Sequence, residues 1–72
     1  MFTIAAFKSR KDALSYAEAI QRVRIPVRVI STPSKVGSSC GLSVKFQTRY
    51  IRFAQRALSG GEYPSFLGFF RD

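Results

Sequence analysis

Apolar and polar positions alternate over residues 2–7, with Phe2, Ile4 and Ala6 on one face of an extended segment and Thr3, Ala5 and Phe7 on the other. The spacing then becomes helical. Ala13, Leu14, Ala17, Ile20 and Val23 form an apolar stripe, and Ser9 followed by Asp12 supplies a capping signature in which Asp replaces the commoner Glu or Gln. Pro26 closes this stretch, because the residue before a proline avoids helical dihedrals, and Val27-Arg28-Val29-Ile30 reads as a short strand. Leu42-Ser43-Val44-Lys45-Phe46 alternates as a third strand with one buried and one more polar face. A second helix is expected over 48–58, burying Tyr50, Ile51, Ala54, Ala57 and Leu58 and carrying Arg49, Arg52 and Arg56 on one outer stripe. Gly60-Gly61 ends it, and Phe66-Leu67-Gly68-Phe69-Phe70 supplies the last strand.

This order, β-α-β-β-α-β, is that of an α+β ferredoxin-like sandwich: a four-stranded antiparallel or mixed sheet with two helices on one face, expected here as one domain over residues 1–72. No repeat or linker interrupts it. Thr32-Pro33-Ser34-Lys35 suits a single turn with Thr32 capping, so 31–40 is a long connection of the kind that often carries function. In this topology the first two strands run in the same direction. Their following loops therefore lie at one end of the sheet, and Cys40 is expected to face the start of the first helix.

Composition narrows the chemistry. Only four residues are acidic (Asp12, Glu18, Glu62, Asp72) and there is no histidine, so most hydrolytic and metal-assisted mechanisms lack their groups and no metal site is expected. No glycine pattern follows the first strand as a dinucleotide fold requires, and no cofactor is expected. A single cysteine excludes an internal disulfide, the apolar runs are too short to span a bilayer, and the first residues lack a secretory leader's basic segment, so a cytoplasmic setting with no membrane association is expected. Twelve Lys and Arg against four acids give a formal net charge of +8, which would draw nucleic acid, an anionic membrane, an acidic protein or a small anion towards the surface, and charge alone does not choose among them.

Cys40 is the one candidate for covalent chemistry. It sits in Gly37-Ser38-Ser39-Cys40-Gly41, a loop composition rather than a core composition. The amides of the helix N-terminus capped by Ser9, together with the cluster Lys8, Arg10 and Lys11 and with Lys35, would favour its thiolate. Gly37 and Gly41 offer backbone for an anion-holding nest, and Ser38 and Ser39 offer donors. The competing reading is a small apolar residue at the edge of the sheet.

Ser9, Ala13 and Ala17-Glu18, then Ile25-Pro26-Val27-Arg28, Thr32-Pro33 and above all Ser38-Ser39-Cys40-Gly41-Leu42, resemble the selenium/sulfur carrier protein-like family of small domains. The resemblance covers nearly the whole chain and is most specific over residues 25–46. It implies a carrier that holds sulfur or selenium on Cys40 between donor and acceptor proteins, more a carrier than a turnover enzyme. The chain departs from that family's pattern at Arg24, where a glycine commonly precedes the Ile-Pro pair, and at Gly37, where a serine or bulkier residue is usual.

Two further readings follow from the open sheet face, expected to show Thr3, Ala5, Phe7, Arg28, Ile30, Ser43, Lys45 and Leu67 or Phe69. One is a basic module for RNA, disfavoured because the third strand lacks the glycine-and-aromatic pattern of an RNA-recognition motif. The other is a homodimer or partner interface through Ala5, Phe7, Ile30 and Phe69. The arginine stripe of the second helix is either a solvated face or a dock for an acidic protein, and Phe46, Phe53 and Phe66 are expected to fill the core.

Overall fold

The computed structural model describes residues 1–34 and 41–71. Its elements are β1 (Phe2–Phe7), α1 (Arg10–Gln21), β2 (Val27–Ser31), β3 (Leu42–Gln47), a 3-10 turn (Thr48–Tyr50) that leads into α2 (Ile51–Ser59), and β4 (Phe66–Arg71). The sheet has the order β2-β3-β1-β4 with every neighbouring pair antiparallel, so β1 and β2 run the same way, and the two helices cover one face. This is the ferredoxin-like sandwich that the order of elements predicts. No helix among the described residues is long and apolar enough to cross a membrane.

β1 is an inner strand, paired on both edges, and its residues 3–7 are all buried. Its register decides which side chains meet the helices. Thr3, Ala5 and Phe7 stand opposite Phe46, Val44 and Leu42, and directly opposed residues share a face. Ala5, Phe7, Val44 and Phe46 pack with Ala13, Tyr16, Ala17 and Ile20 of α1 and Ala54 of α2. The hydroxyl of buried Thr3 shares a hydrogen bond with that of Thr48 at 2.8 Å.

The open face therefore differs from the sequence expectation. Ile4 and Ala6 stand opposite Lys45 and Ser43, which in turn oppose Arg28 and Ile30, so Arg28, Ile30, Ser43 and Lys45 lie on the side away from the helices as expected, whereas Thr3, Ala5 and Phe7 lie beneath the helices. Side chains alternate, so grouping Thr3 with Ser43 joins residues of opposite faces. Phe69 also belongs to the core, with its ring 5.1 Å from Phe66 and 6.2 Å from Phe46. Leu67 is the extra residue of a bulge, since Ala6 pairs with Gly68 and Phe7 with Phe66. A self-association patch built on Ala5, Phe7 and Phe69 is thereby removed, and an RNA platform on the sheet loses Thr3, Ala5 and Phe7.

The stripe of α1 is also displaced. Ala13, Tyr16, Ala17 and Ile20 are buried, whereas Leu14 and Val23 are 51% and 61% exposed. Leu14 sits about 100° around the helix from Ala13. Tyr16 takes its place in the core, because its ring packs 5.2 Å from both Phe7 and Tyr63 while its hydroxyl donates to the Ala54 carbonyl at 2.5 Å. Phe53 is exposed rather than buried, although Phe46 and Phe66 do contribute to the core.

α1 ends before Pro26 is reached. The Arg24 amide donates to the Gln21 carbonyl at 2.9 Å and the Ile25 amide to the Ile20 carbonyl, with Arg24 at φ 64°. That is a Schellman closure in which the left-handed position, usually glycine, holds an arginine. The geometry explains why glycine suits the residue before Ile25-Pro26.

Candidate functional site

The carboxyl ends of β1 and β2, the start of β3, the first turn of α1 and the residue before β4 meet at one end of the sheet. Gly41 is buried there. A Cβ built on it would lie 2.0 Å from the Phe7 carbonyl oxygen and 3.2 Å from the Thr32 hydroxyl. The position has no room for any side chain, and the constraint comes from the backbone of the central strand. Gly41 accepts the Thr32 amide at 3.2 Å, and the hydroxyls of Thr32 and Ser43 lie 2.9 Å apart. These two contacts pin both ends of the connection between β2 and β3.

Ser9 caps α1. It has extended dihedrals, and its hydroxyl accepts the Asp12 amide at 3.3 Å. The return half of the capping box is relayed. Asp12 does not bond the Ser9 amide; instead its Oδ2 accepts from the Ser65 hydroxyl at 2.6 Å and the Ser65 amide at 3.1 Å, and the Ser65 hydroxyl accepts the Ser9 amide at 3.0 Å. Asp is one methylene shorter than Glu, and Ser65 spans the difference. The Lys8 amide donates to the Ser65 carbonyl at 3.0 Å, so the joint between β1 and α1 is fastened to the chain just ahead of β4.

Arg10 is the first residue of α1, and the amides of Arg10 and Lys11 have no acceptor among the described residues. The helix dipole places about half a positive charge here. Lys8, Arg10 and Lys11 are all exposed around it. This end of the molecule is thus electropositive, with two amides unpaired among the described residues and a tightly packed glycine beside the end of β1.

Of the residues singled out in the sequence, the structure brings Ser9, Arg10 and Gly41 to this end of the sheet. Lys35, Gly37, Ser38, Ser39 and Cys40, together with the end of the turn expected over 32–35, lie outside the described residues. Sequence reasoning missed Thr32 and Ser43 as a hydroxyl pair and Ser65 as the bridge to Asp12. The Asp in a capping-box position was the available signal, but its partner lies more than fifty residues away (|i−j| = 53) and no local pattern points to it. Among the described residues, no three His, Cys, Asp or Glu side chains gather in a way that could hold a metal ion.

At the far end of α1 the second helix offers different chemistry. Arg49 is engaged with its neighbour, its guanidinium 4.9 Å above the Tyr50 ring and donating to the Tyr50 hydroxyl at 3.0 Å. Arg52 and Arg56 are exposed.

Neither the curated proteins nor the solved structures contain a match to this chain. The model of one protein family matches residues 2–64, a span that takes in β1, both helices, β2, β3 and the Ser38-Ser39-Cys40-Gly41-Leu42 run. On that match the chain belongs to the family described as "Putative Se/S carrier protein-like".

Proposed function

We propose that this protein carries sulfur, or selenium in the same manner, on Cys40 and passes it from a donor protein to an acceptor. The observation that carries the reading is that the chain's one cysteine lies inside the span matched by the carrier-like family and is bonded to Gly41, the residue wedged against the Phe7 carbonyl one turn ahead of α1. Cationic surroundings and unpaired helix amides stabilise a thiolate over a thiol, and a thiolate is the nucleophile in sulfur transfer.

The step is an exchange at sulfur. The Cys40 thiolate attacks the outer sulfur of a donor persulfide, a new S–S bond forms at Cys40, the donor's own S–S bond breaks, and the donor cysteine leaves as a thiolate. The proton stays with the transferred sulfur and no external oxidant is needed. Release to the acceptor repeats the exchange with the acceptor thiolate as nucleophile. Lys8, Arg10 and Lys11 supply the field, and Ser38 and Ser39 are the candidate donors to the transferred atom.

Mass spectrometry after incubation with a cysteine desulfurase and cysteine tests the reading. The expected product is the parent protein plus one sulfur atom, reversed by dithiothreitol and missing from Cys40→Ser. An unmodified parent protein, combined with a slow alkylation rate typical of a thiol near pKa 8.5, would overturn it.

A further inference from the structure

Opposite the Ser9 end of α1, separated from it by the length of that helix, about 18 Å for twelve residues, a groove of about 780 Å³ opens between the end of α1 and α2. Its floor is aliphatic and aromatic, formed by Ala19, Val23, Ile25, Phe53 and Ala57. Tyr50, Phe53 and Ala57 follow one another at i, i+3 and i+7, which lays a stripe about 10 Å long along one wall. Val23 and Phe53 are 61% and 54% exposed, so this trough is open along its side. Arg22, Arg24 and Arg56 rim it, none of the three forms an ion pair with a described residue, and neither Asp12, Glu18 nor Glu62 lines it.

A second observation singles out one of these arginines. Arg24 occupies the left-handed position that closes α1, a backbone conformation in which a side chain is strained and glycine is not. A chain of this size has little stability to spare, and strain retained at a position on the rim of an apolar trough points to use of the side chain.

We infer that this groove docks an acidic amphipathic helical segment of a partner protein, its aliphatic side chains seated on the floor and its carboxylates paired with Arg22, Arg24 and Arg56. Helix-in-groove recognition needs an apolar trough with side chains at helical spacing, and carboxylates match guanidinium forks. A second copy is disfavoured because it would bring two arginine rims together in a chain of net charge +8. Single-stranded RNA is disfavoured because, of the three aromatic rings that line the groove, Tyr50 lies under the Arg49 guanidinium and Tyr63 packs edge-on against Phe7 and Tyr16, which leaves Phe53 as the one strongly exposed ring for a base to stack on. The docking role does not rest on the thiol, and it leaves the Ser9 end of the molecule uncovered.

The test is an amide-resolved NMR titration of the whole protein with a short glutamate-rich helical peptide carrying a leucine pair at i and i+4. Shift changes concentrated at Ala19, Val23, Ile25, Phe53 and Ala57 are expected. Replacing the peptide's leucines by alanine, or its glutamates by lysine, is expected to weaken binding at least tenfold, and neither comparison depends on a protein variant folding. Arg22→Glu with Arg56→Glu, folded by circular dichroism, is expected to lose binding more than tenfold, whereas Cys40→Ser binds as the parent does. Shifts centred on the sheet face or on Ser9 would overturn the inference. So would unchanged affinity in the double reversal, tighter binding of oligouridylate or octanoate than of the peptide at the same residues, or sedimentation as a dimer through this groove.

Discussion

Replacing Gly41 by alanine tests the packing at the end of the sheet where β1, β3 and the start of α1 meet. The added methyl would lie 2.0 Å from the Phe7 carbonyl oxygen, about 1.4 Å inside the 3.4 Å at which ordinary contact begins, and a further contact at 3.1 Å falls on the Phe7 carbonyl carbon. Both obstacles are backbone atoms of the central strand. No rotamer change relieves them, so either the end of β1 or the start of β3 must shift, and the Thr32–Gly41 hydrogen bond at 3.2 Å is stretched with it. Overpacking costs about 1–3 kcal/mol, and a backbone obstacle places this case near the upper end. With a urea m-value of about 1 kcal/mol/M for a small domain, the unfolding midpoint should fall by about 3 M. Gly60→Ala is the control, because its Cβ would meet only the Arg56 and Ala57 carbonyls at 3.6 and 3.8 Å and its φ is −82°. That change should leave the midpoint unchanged or raise it slightly, since alanine restricts the unfolded chain. Urea titrations followed by circular dichroism compare the two. A Gly41→Ala midpoint within about 0.3 M of the parent, against that same m-value, would refute the steric account.

Other substitutions probe the remaining joints. Arg24→Gly removes the left-handed strain and should stabilise by about 1 kcal/mol, raising the melting temperature by about 4–8 °C, whereas Arg24→Ala should gain nothing. Asp12→Ala deprives the Ser65 amide and hydroxyl of their acceptor and should cost about 1–2 kcal/mol in denaturant titration; a loss no greater than that of an exposed substitution would argue against the relayed cap. Burial, with the neighbouring Tyr63 phenol adding to it, pushes the Tyr16 hydroxyl well above its ordinary value of 10.0. The unfolded phenol ionises first, so above that pH the unfolded state binds fewer protons than the folded one and stability falls as pH rises. Tyr16→Phe should cost about 1 kcal/mol at neutral pH and flatten this alkaline decline, and identical slopes for the two proteins would contradict the assignment.

Membership of a carrier-like family and an electropositive helix start fit together without either one supplying partners. The family match spans the cysteine run, while the groove between α1 and α2 lies at the opposite end of α1.

Local signals were strong wherever one residue type satisfies a nearby backbone. The strand over 2–7, the cap at Ser9, the helix stop at Gly60 and the order of elements were all legible in the sequence, because alternation, capping and chain reversal depend on neighbours a few residues apart. The likeness of the Ser38-Ser39-Cys40-Gly41-Leu42 run to a carrier-like family was legible for the same reason. What no local pattern determined was register. The side of the sheet taken by Thr3, Ala5 and Phe7 depends on pairing with β3 forty residues away, and a shift of one position exchanges the faces. Tyr16 replacing Leu14 in the core, Asp12 reaching Ser65, and three arginines gathering around one trough are likewise tertiary outcomes, because each depends on elements that only packing brings together.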